Sequence, residues 1–199
     1  MSLDARYFAE LYANDDDPWA FRTRWYERRK RELVLASLPR QYYARVFEPA
    51  CANGELSALL AERCASLLCQ DIDATAVGLA RQRLAGVSHA SVEQAHLPGD
   101  WPGGQFDLIV LSEIGYYLDP TDWLQVIEQA VASLTWDGGL LACHWRHPIA
   151  GCPQDGRQVH DRLSRHLPLY PLSRHEEADF LLEYWSCQPG VVDLDETCP

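Results

Sequence analysis

The chain has 199 residues, 47% of them hydrophobic, enough for one domain with a buried core. Its formal charge of -12 disfavours a general nucleic-acid binder, because the phosphate backbone would be repelled. No apolar run is long enough to span a bilayer, and the seven cysteines include no Cys-x-x-Cys pair, so a reduced, cytoplasmic protein with incidental thiols is expected. From the N-terminus, Asp15-Asp16-Asp17-Pro18 reads as a helix start. The helix is expected to run to Pro39, with Arg22, Arg24, Arg28, Arg29, Lys30 and Arg31 on a solvated face. Residues 44–48 read as a first buried strand, 56–64 as a helix, 66–71 as a strand and 74–84 as a helix. Residues 90–94 and 106–112 read as the next strands, and 120–134 has helical periodicity. Asp137-Gly138-Gly139 is expected to turn the chain into a strand at 140–145. A helix at 158–166 and an antiparallel pair at 167–173 and 178–186 complete the pattern. The fold class is therefore α/β, a mostly parallel seven-stranded sheet with a terminal antiparallel strand and helices on both faces. Residues 1–40 form an N-terminal helical unit, 41–187 the main domain and 188–199 an acidic tail.

In such a sheet, ligands sit beyond the carboxyl ends of the strands. Two stretches have that address. The first is Glu48-Pro49-Ala50-Cys51-Ala52-Asn53-Gly54, a strand running into a small-residue loop where backbone can approach a ligand. The second is Phe106-Asp107-Leu108-Ile109-Val110-Leu111-Ser112-Glu113-Ile114-Gly115-Tyr116-Tyr117-Leu118, an apolar strand ending in a polar and aromatic cluster. Asp71 closes a further strand about 20 residues after the first loop, where such folds place an acid for ribose hydroxyls. Asp71 could also cap the following helix, a task that Asp73 could take instead. The first loop lacks G-x-G-x-x-G and carries Glu48 and Glu55, so a pyrophosphate would be poorly served. A sulfonium nucleoside tolerates that acidity.

At these residues the sequence resembles the class I S-adenosylmethionine-dependent methyltransferases, and within them the NodS-like nodulation N-methyltransferases. The likeness rests on Asp16-Asp17-Pro18-Trp19, Phe21, Trp25-Tyr26-Glu27 and Arg29-Lys30, on the 48–54 loop, Asp71, the 106–118 stretch and His144-Trp145-Arg146. It implies a Rossmann-like fold, S-adenosyl-L-methionine as cofactor, and an amine on a saccharide or small molecule as methyl acceptor. It implies that Glu48, Ala50 and Gly54 contact the methionyl part, Asp71 the ribose, and Ile72, Gln94 and Ala95 the adenine. It also implies that Ser112 faces the sulfur and that Trp19, Trp25 and Arg29 close the pocket as a lid. Ala50 and Ala52 depart from the usual glycines, and Gln94 from the usual acid.

Methyl transfer to an amine needs alignment of two reactants and a group to take a proton. Glu113 and His144 are the catalytic candidates. Against them, Glu113 could be a helix cap or pair with Arg146, and His144 could be a satisfied buried histidine. Tyr116, Tyr117, Trp145, Arg146 and His160 are the candidate acceptor-binding residues, though aromatic residues at strand ends also serve simple packing and His160 could sit on a helix surface. No metal-ligand spacing stands out, and nothing in the sequence specifies an oligomeric state. An O-methyltransferase, a nicotinamide-dependent oxidoreductase and a cofactor-binding domain without catalysis stay open as alternatives.

Overall fold

The computed structural model describes residues 1–190. The acidic tail read at 188–199 lies, past Gly190, outside the described residues. The element order is α1 (Ala5–Tyr12), α2 (Trp25–Ala36), β1 (Val46–Pro49), α3 (Glu55–Ala61), β2 (Leu67–Asp71), α4 (Ala74–Arg83), β3 (Ala90–Gln94), β4 (Phe106–Ser112), a 3-10 turn (Gly115–Tyr117), α5 (Pro120–Ser133), β5 (Leu134–Trp145), α6 (Gly156–His166), β6 (Tyr170–Glu176) and β7 (Phe180–Ser186). The seven strands form one sheet in the order β3-β2-β1-β4-β5-β7-β6. β7 is antiparallel to both of its neighbours, and the strands from β3 to β5 pair in parallel.

Strand alternation divides the core into two layers. Leu108 and Val110 of β4, with Leu141 and Cys143 of β5, face α2, α3 and α4 and pack with Val34, Leu60 and Val77. Ile109, Leu111, Leu140 and Ala142 face the opposite way, against Trp123 and Ile127 of α5 and Val159 and Leu163 of α6. Each fully buried Leu or Ile in these layers contributes roughly 1.5–3 kcal/mol relative to exposure. Helix starts follow from capping side chains. Asp73 accepts from the Thr75 and Ala76 amides, Asp119 from those of Thr121 and Asp122, and Asp155 forms a reciprocal box with Gln158. Asp73 therefore does the capping, which leaves Asp71 for another role.

Three expectations are corrected. Helix α2 starts at Trp25 rather than at Pro18, because the Asp17 carboxylate takes the Phe21 and Arg22 amides and Ala20 turns left-handed at φ 56°. An earlier helix, α1, capped by Asp4, was not anticipated. β5 runs unbroken through Asp137-Gly138-Gly139, with Leu134 opposite Phe106 and Gly139 opposite Leu108, so the surplus residues bulge instead of turning.

α1, the 18–24 turns and α2 lie over the carboxyl ends of the parallel strands and roof a cavity of about 500 Å³. The chain start is tied down beside it: Leu3 donates to the Tyr117 carbonyl at 2.9 Å, and Ser2 bridges Asp119 and Asp122.

Candidate active site

The cavity floor is built from strand ends: Ala50 and Ala52 after β1, Gln70, Asp71 and Ile72 at β2, Ala95, His96 and Leu97 after β3, and Glu113 and Ile114 after β4. Tyr12, Trp19, Tyr26, Glu27 and Lys30 come from the roof, and Tyr116, Tyr117 and Trp145 from the side. A smaller chamber between α2 and the β1 loop is lined by Glu27, Lys30, Glu48, Asn53, Ser112 and Glu113 among others.

The β1 loop keeps a tight ligand-facing shape without its usual glycines. Ala50 and Ala52 stand in the left-handed region at φ 56° and 48°, a conformation costing roughly 1–2 kcal/mol for a residue with a Cβ. Tertiary contacts hold it there. The Ala52 amide donates to Asp71 Oδ2 at 2.9 Å, and the Cys51 amide to the Gln70 carbonyl at 3.0 Å. Gly54 starts α3 at φ 80°, and a Cβ there would meet the Ala80 Cα at 3.0 Å. The roof is latched to this loop: Asn53 Nδ2 donates to Asp17 Oδ1 at 2.9 Å.

Asp71 is 8% exposed, and its other oxygen accepts the Asp73 amide at 3.0 Å. Burial pushes its carboxyl up to about 6, against the pull of the Asp73 and Ala52 amides. Burial also pushes Glu48 up to about 7, opposed by hydrogen bonds from Ser57 and Cys69. A carboxyl with a raised native pKa makes the folded state bind more protons than the unfolded one. Stability from Glu48 is therefore highest below its unfolded value near 4.5 and falls as pH rises through about 7. We expect urea unfolding to show wild type losing stability between pH 5 and pH 8, and Glu48→Gln losing less; parallel pH profiles for the two would refute the assignment.

Glu113 is the centre of the site's electrostatics. It follows β4 in a left-handed conformation at φ 55°, the kind of backbone strain that recurs at functional positions. Its Oε2 accepts from Tyr116 Oη at 2.5 Å and from the Trp145 amide at 3.0 Å. Its Oε1 takes Lys30 Nζ at 2.5 Å, and Glu27 Oε2 lies 3.0 Å from the same nitrogen. Lys30 is only 5% exposed. Burial opposes its charge, but the Glu113 and Glu27 carboxylates outweigh that and hold its pKa above the ordinary lysine value. Two carboxylates thus share one ammonium beside the cavity. Glu113 pairs with Lys30, not with Arg146.

Several sequence candidates stand elsewhere. His144 and His160 are 0% and 2% exposed and do not line the cavity. His144 lies on the α5–α6 side of the sheet, where its Nε2 accepts the Gly115 amide at 3.0 Å. Its Nδ1 meets His160 Nε2 at 3.0 Å, and His160 Nδ1 meets Glu183 at 2.5 Å. Burial, and then His160, hold the His144 pKa well below the usual histidine range. With both ring nitrogens engaged, His144 supports the turn behind Glu113 and does not face an acceptor. Trp25 is 61% exposed with Arg28 over its ring, and Arg29 pairs with Glu177 at 2.5 Å; neither lines the cavity. Arg146 pairs with Glu176 at 2.7 Å. The Gln94 amide folds back onto the Ile72 carbonyl at 3.0 Å, while Ala95 and Ile72 do line the floor. Glu48 and Ser112 reach only the small chamber.

The sequence reading missed Glu27, Lys30, Tyr26 and Tyr12. One signal was present: Glu27, Lys30 and Val34 follow i, i+3, i+7 spacing, so α2 buries the face that carries them.

The family model for Nodulation protein S (NodS) matches residues 7–157. The chain belongs to the NodS family. A NodS relative, Nodulation protein S of Bradyrhizobium diazoefficiens, is 31% identical over 128 residues, 63% of this chain and 61% of that protein. The chain spans about half the length of the curated NodS relatives it matches, 44% to 61%. Among solved structures, a Pseudomonas syringae protein provisionally described as a methyltransferase is 57% identical, with TM-score 0.74 over 82% of this chain and 99% of that one. The N-methyltransferase NodS of Bradyrhizobium japonicum WM9, in complex with S-adenosyl-L-homocysteine, is 27% identical, with TM-score 0.82 over 92% and 97% of the two chains. The NodS-like, class I methyltransferase fold expected from the sequence is thereby shown.

Proposed function

We propose that the protein is an S-adenosylmethionine-dependent methyltransferase that delivers the methyl to an amine nitrogen of a small molecule or saccharide. NodS membership and the fold shared with an S-adenosylhomocysteine complex support the reaction class. The residues fit such a cofactor. The cavity volume lies in the range of small-molecule sites, Asp71 presents a carboxylate to it, and Gln70 Oε1 is buried without a hydrogen-bond partner among the described residues. When bound, the cofactor supplies a methyl activated on a sulfonium. Asp71 would hold the ribose, Ile72, Ala95 and Leu97 the adenine, and the Ala50–Ala52 backbone the methionyl end. The first 40 residues act as a lid, held by the Asp17–Asn53 bond and contributing Tyr12, Trp19, Tyr26, Glu27 and Lys30 to the wall.

The observation that carries the amine reading is the Glu27–Lys30–Glu113 cluster. Its net negative charge, buried at the ends of β1 and β4, attracts a cationic acceptor to the place where the methyl is presented. Tyr26 and Trp145 meet edge to face at 5.7 Å and give the acceptor flat apolar walls. Six free cysteines among the described residues support a reducing compartment, and we place the protein in the cytoplasm. A labelled-methyl screen of amino sugars, simple primary amines and phenols tests the proposal. Transfer to amines is expected; transfer to phenols or carboxylates alone would replace it with O-methylation.

A further inference from the structure

We infer that Glu27, rather than Glu113, is the proton acceptor for methyl transfer, an assignment that rests on the amine reading above. An amine bound as an ammonium has no lone pair and cannot attack until a proton leaves. A base for that proton must face the cavity and have acceptor capacity to spare. Glu113 faces the cavity, but three donors already claim its two oxygens: Lys30 Nζ, Tyr116 Oη and the Trp145 amide. Its left-handed backbone and this three-point grip fix it as a static anchor. Glu27 lines both the cavity and the adjoining chamber, and among the described residues its carboxylate has one ion-pair partner, the shared Lys30 ammonium at 3.0 Å. The other oxygen of its carboxylate is left for a ligand.

The surroundings suit a group that takes up and releases a proton. Glu27 is 7% exposed, and burial raises its pKa, with Lys30 pulling it back. Lys30 and Arg31 face it from its own helix and Glu113 from the end of β4, while Glu48 and Glu55 line the chamber from the β1–α3 side. Nearby, Tyr26 lines the same wall, and its buried hydroxyl has no hydrogen-bond partner among the described residues. In the step, the acceptor's ammonium gives one proton to the Glu27 carboxylate. The freed lone pair forms the new N–C bond as the methyl's bond to sulfur breaks, its electron pair staying on sulfur. The product carries the positive charge as a methylated ammonium, and neutral Glu27 returns its proton to solvent. Lys30 keeps its 2.5 Å pair with Glu113 while the Glu27 carboxylate takes up and releases the proton.

The test compares wild type, Glu27→Gln and Glu27→Asp with glucosamine or benzylamine, whichever wild type methylates faster, as a function of pH. S-adenosylhomocysteine affinity by calorimetry controls for an intact site. Glu27→Gln is expected to lower kcat about 100-fold at pH 7, within the range for loss of a general base, while cofactor affinity changes less than threefold. The deficit is expected to shrink as pH rises past the amine's own pKa, because substrate then arrives already neutral. Glu27→Asp is expected to recover part of the rate. A Glu27→Gln enzyme with wild-type rate and pH profile overturns the assignment. So does a deficit equal at every pH, or one matched by lost cofactor affinity; both mark a structural role. If wild type methylates neither amine but does methylate phenols, the amine reading itself fails, and this inference with it.

Discussion

Replacing Lys30 with Met is expected to destabilise the fold by about 3 kcal/mol, the scale of removing one partner from a buried ion pair. The side chain fits in volume, so packing is nearly conserved; what changes is charge. Glu113 and Glu27 would be left within the site without their shared counter-ion, at side-chain exposures of 16% and 10%. Urea unfolding at pH 7 measures the loss. The double variant Lys30→Met with Glu27→Gln is expected to regain part of it, since one stranded carboxylate is then neutral. A single-variant loss below 1 kcal/mol, or no recovery in the double variant, would mean that the cluster is solvated and does not organise the site.

Asp71→Ala is expected to weaken S-adenosylhomocysteine binding by about 1.5–3 kcal/mol, roughly 10- to 150-fold, the range for hydrogen bonds to a charged acceptor. Two causes add. The ligand loses a carboxylate facing it, and the Ala52 amide loses the acceptor that holds the left-handed loop. Asp71→Asn keeps an acceptor for that amide, so it separates the two; its loss is expected to be the smaller. Calorimetry showing unchanged affinity for Asp71→Ala would remove this residue from the binding site.

Much of the fold could be read from local pattern, because the local and the tertiary rules agree there. β3 and β4 fall where alternation and apolar runs put them, and Asp73 takes the helix-capping role that its position allowed. Reading failed where a side chain answers to something distant in sequence. The Asp17 carboxylate caps a turn, taking the Phe21 and Arg22 amides, and also binds Asn53 across the cavity rim, while the helix itself starts later, at Trp25. Lys30 looked like one more solvated cation in an arginine-rich helix; its partner Glu113 lies 83 residues away. His144 had the right strand end and the wrong face. Parity sends it toward His160 and α6, and puts Trp145 at the cavity wall beside Tyr26. α1 is not legible because it spans only eight residues, although Tyr7 and Phe8 pack against the α5–α6 core layer and Tyr12 is buried.

The two alanines in the β1 loop separate the shape of the loop from its local sequence. Their backbone angles are those that glycine adopts freely, yet the conformation is imposed here by Asp71 and by β2 from outside the loop. Shape is thus supplied through the neighbouring strand, and the loop residues need only be small enough to be held in it. A search keyed to a glycine signature alone would pass over a loop of this kind. A better detector would look for the acid at the end of the second strand together with any pair of small residues it can hold in a left-handed turn.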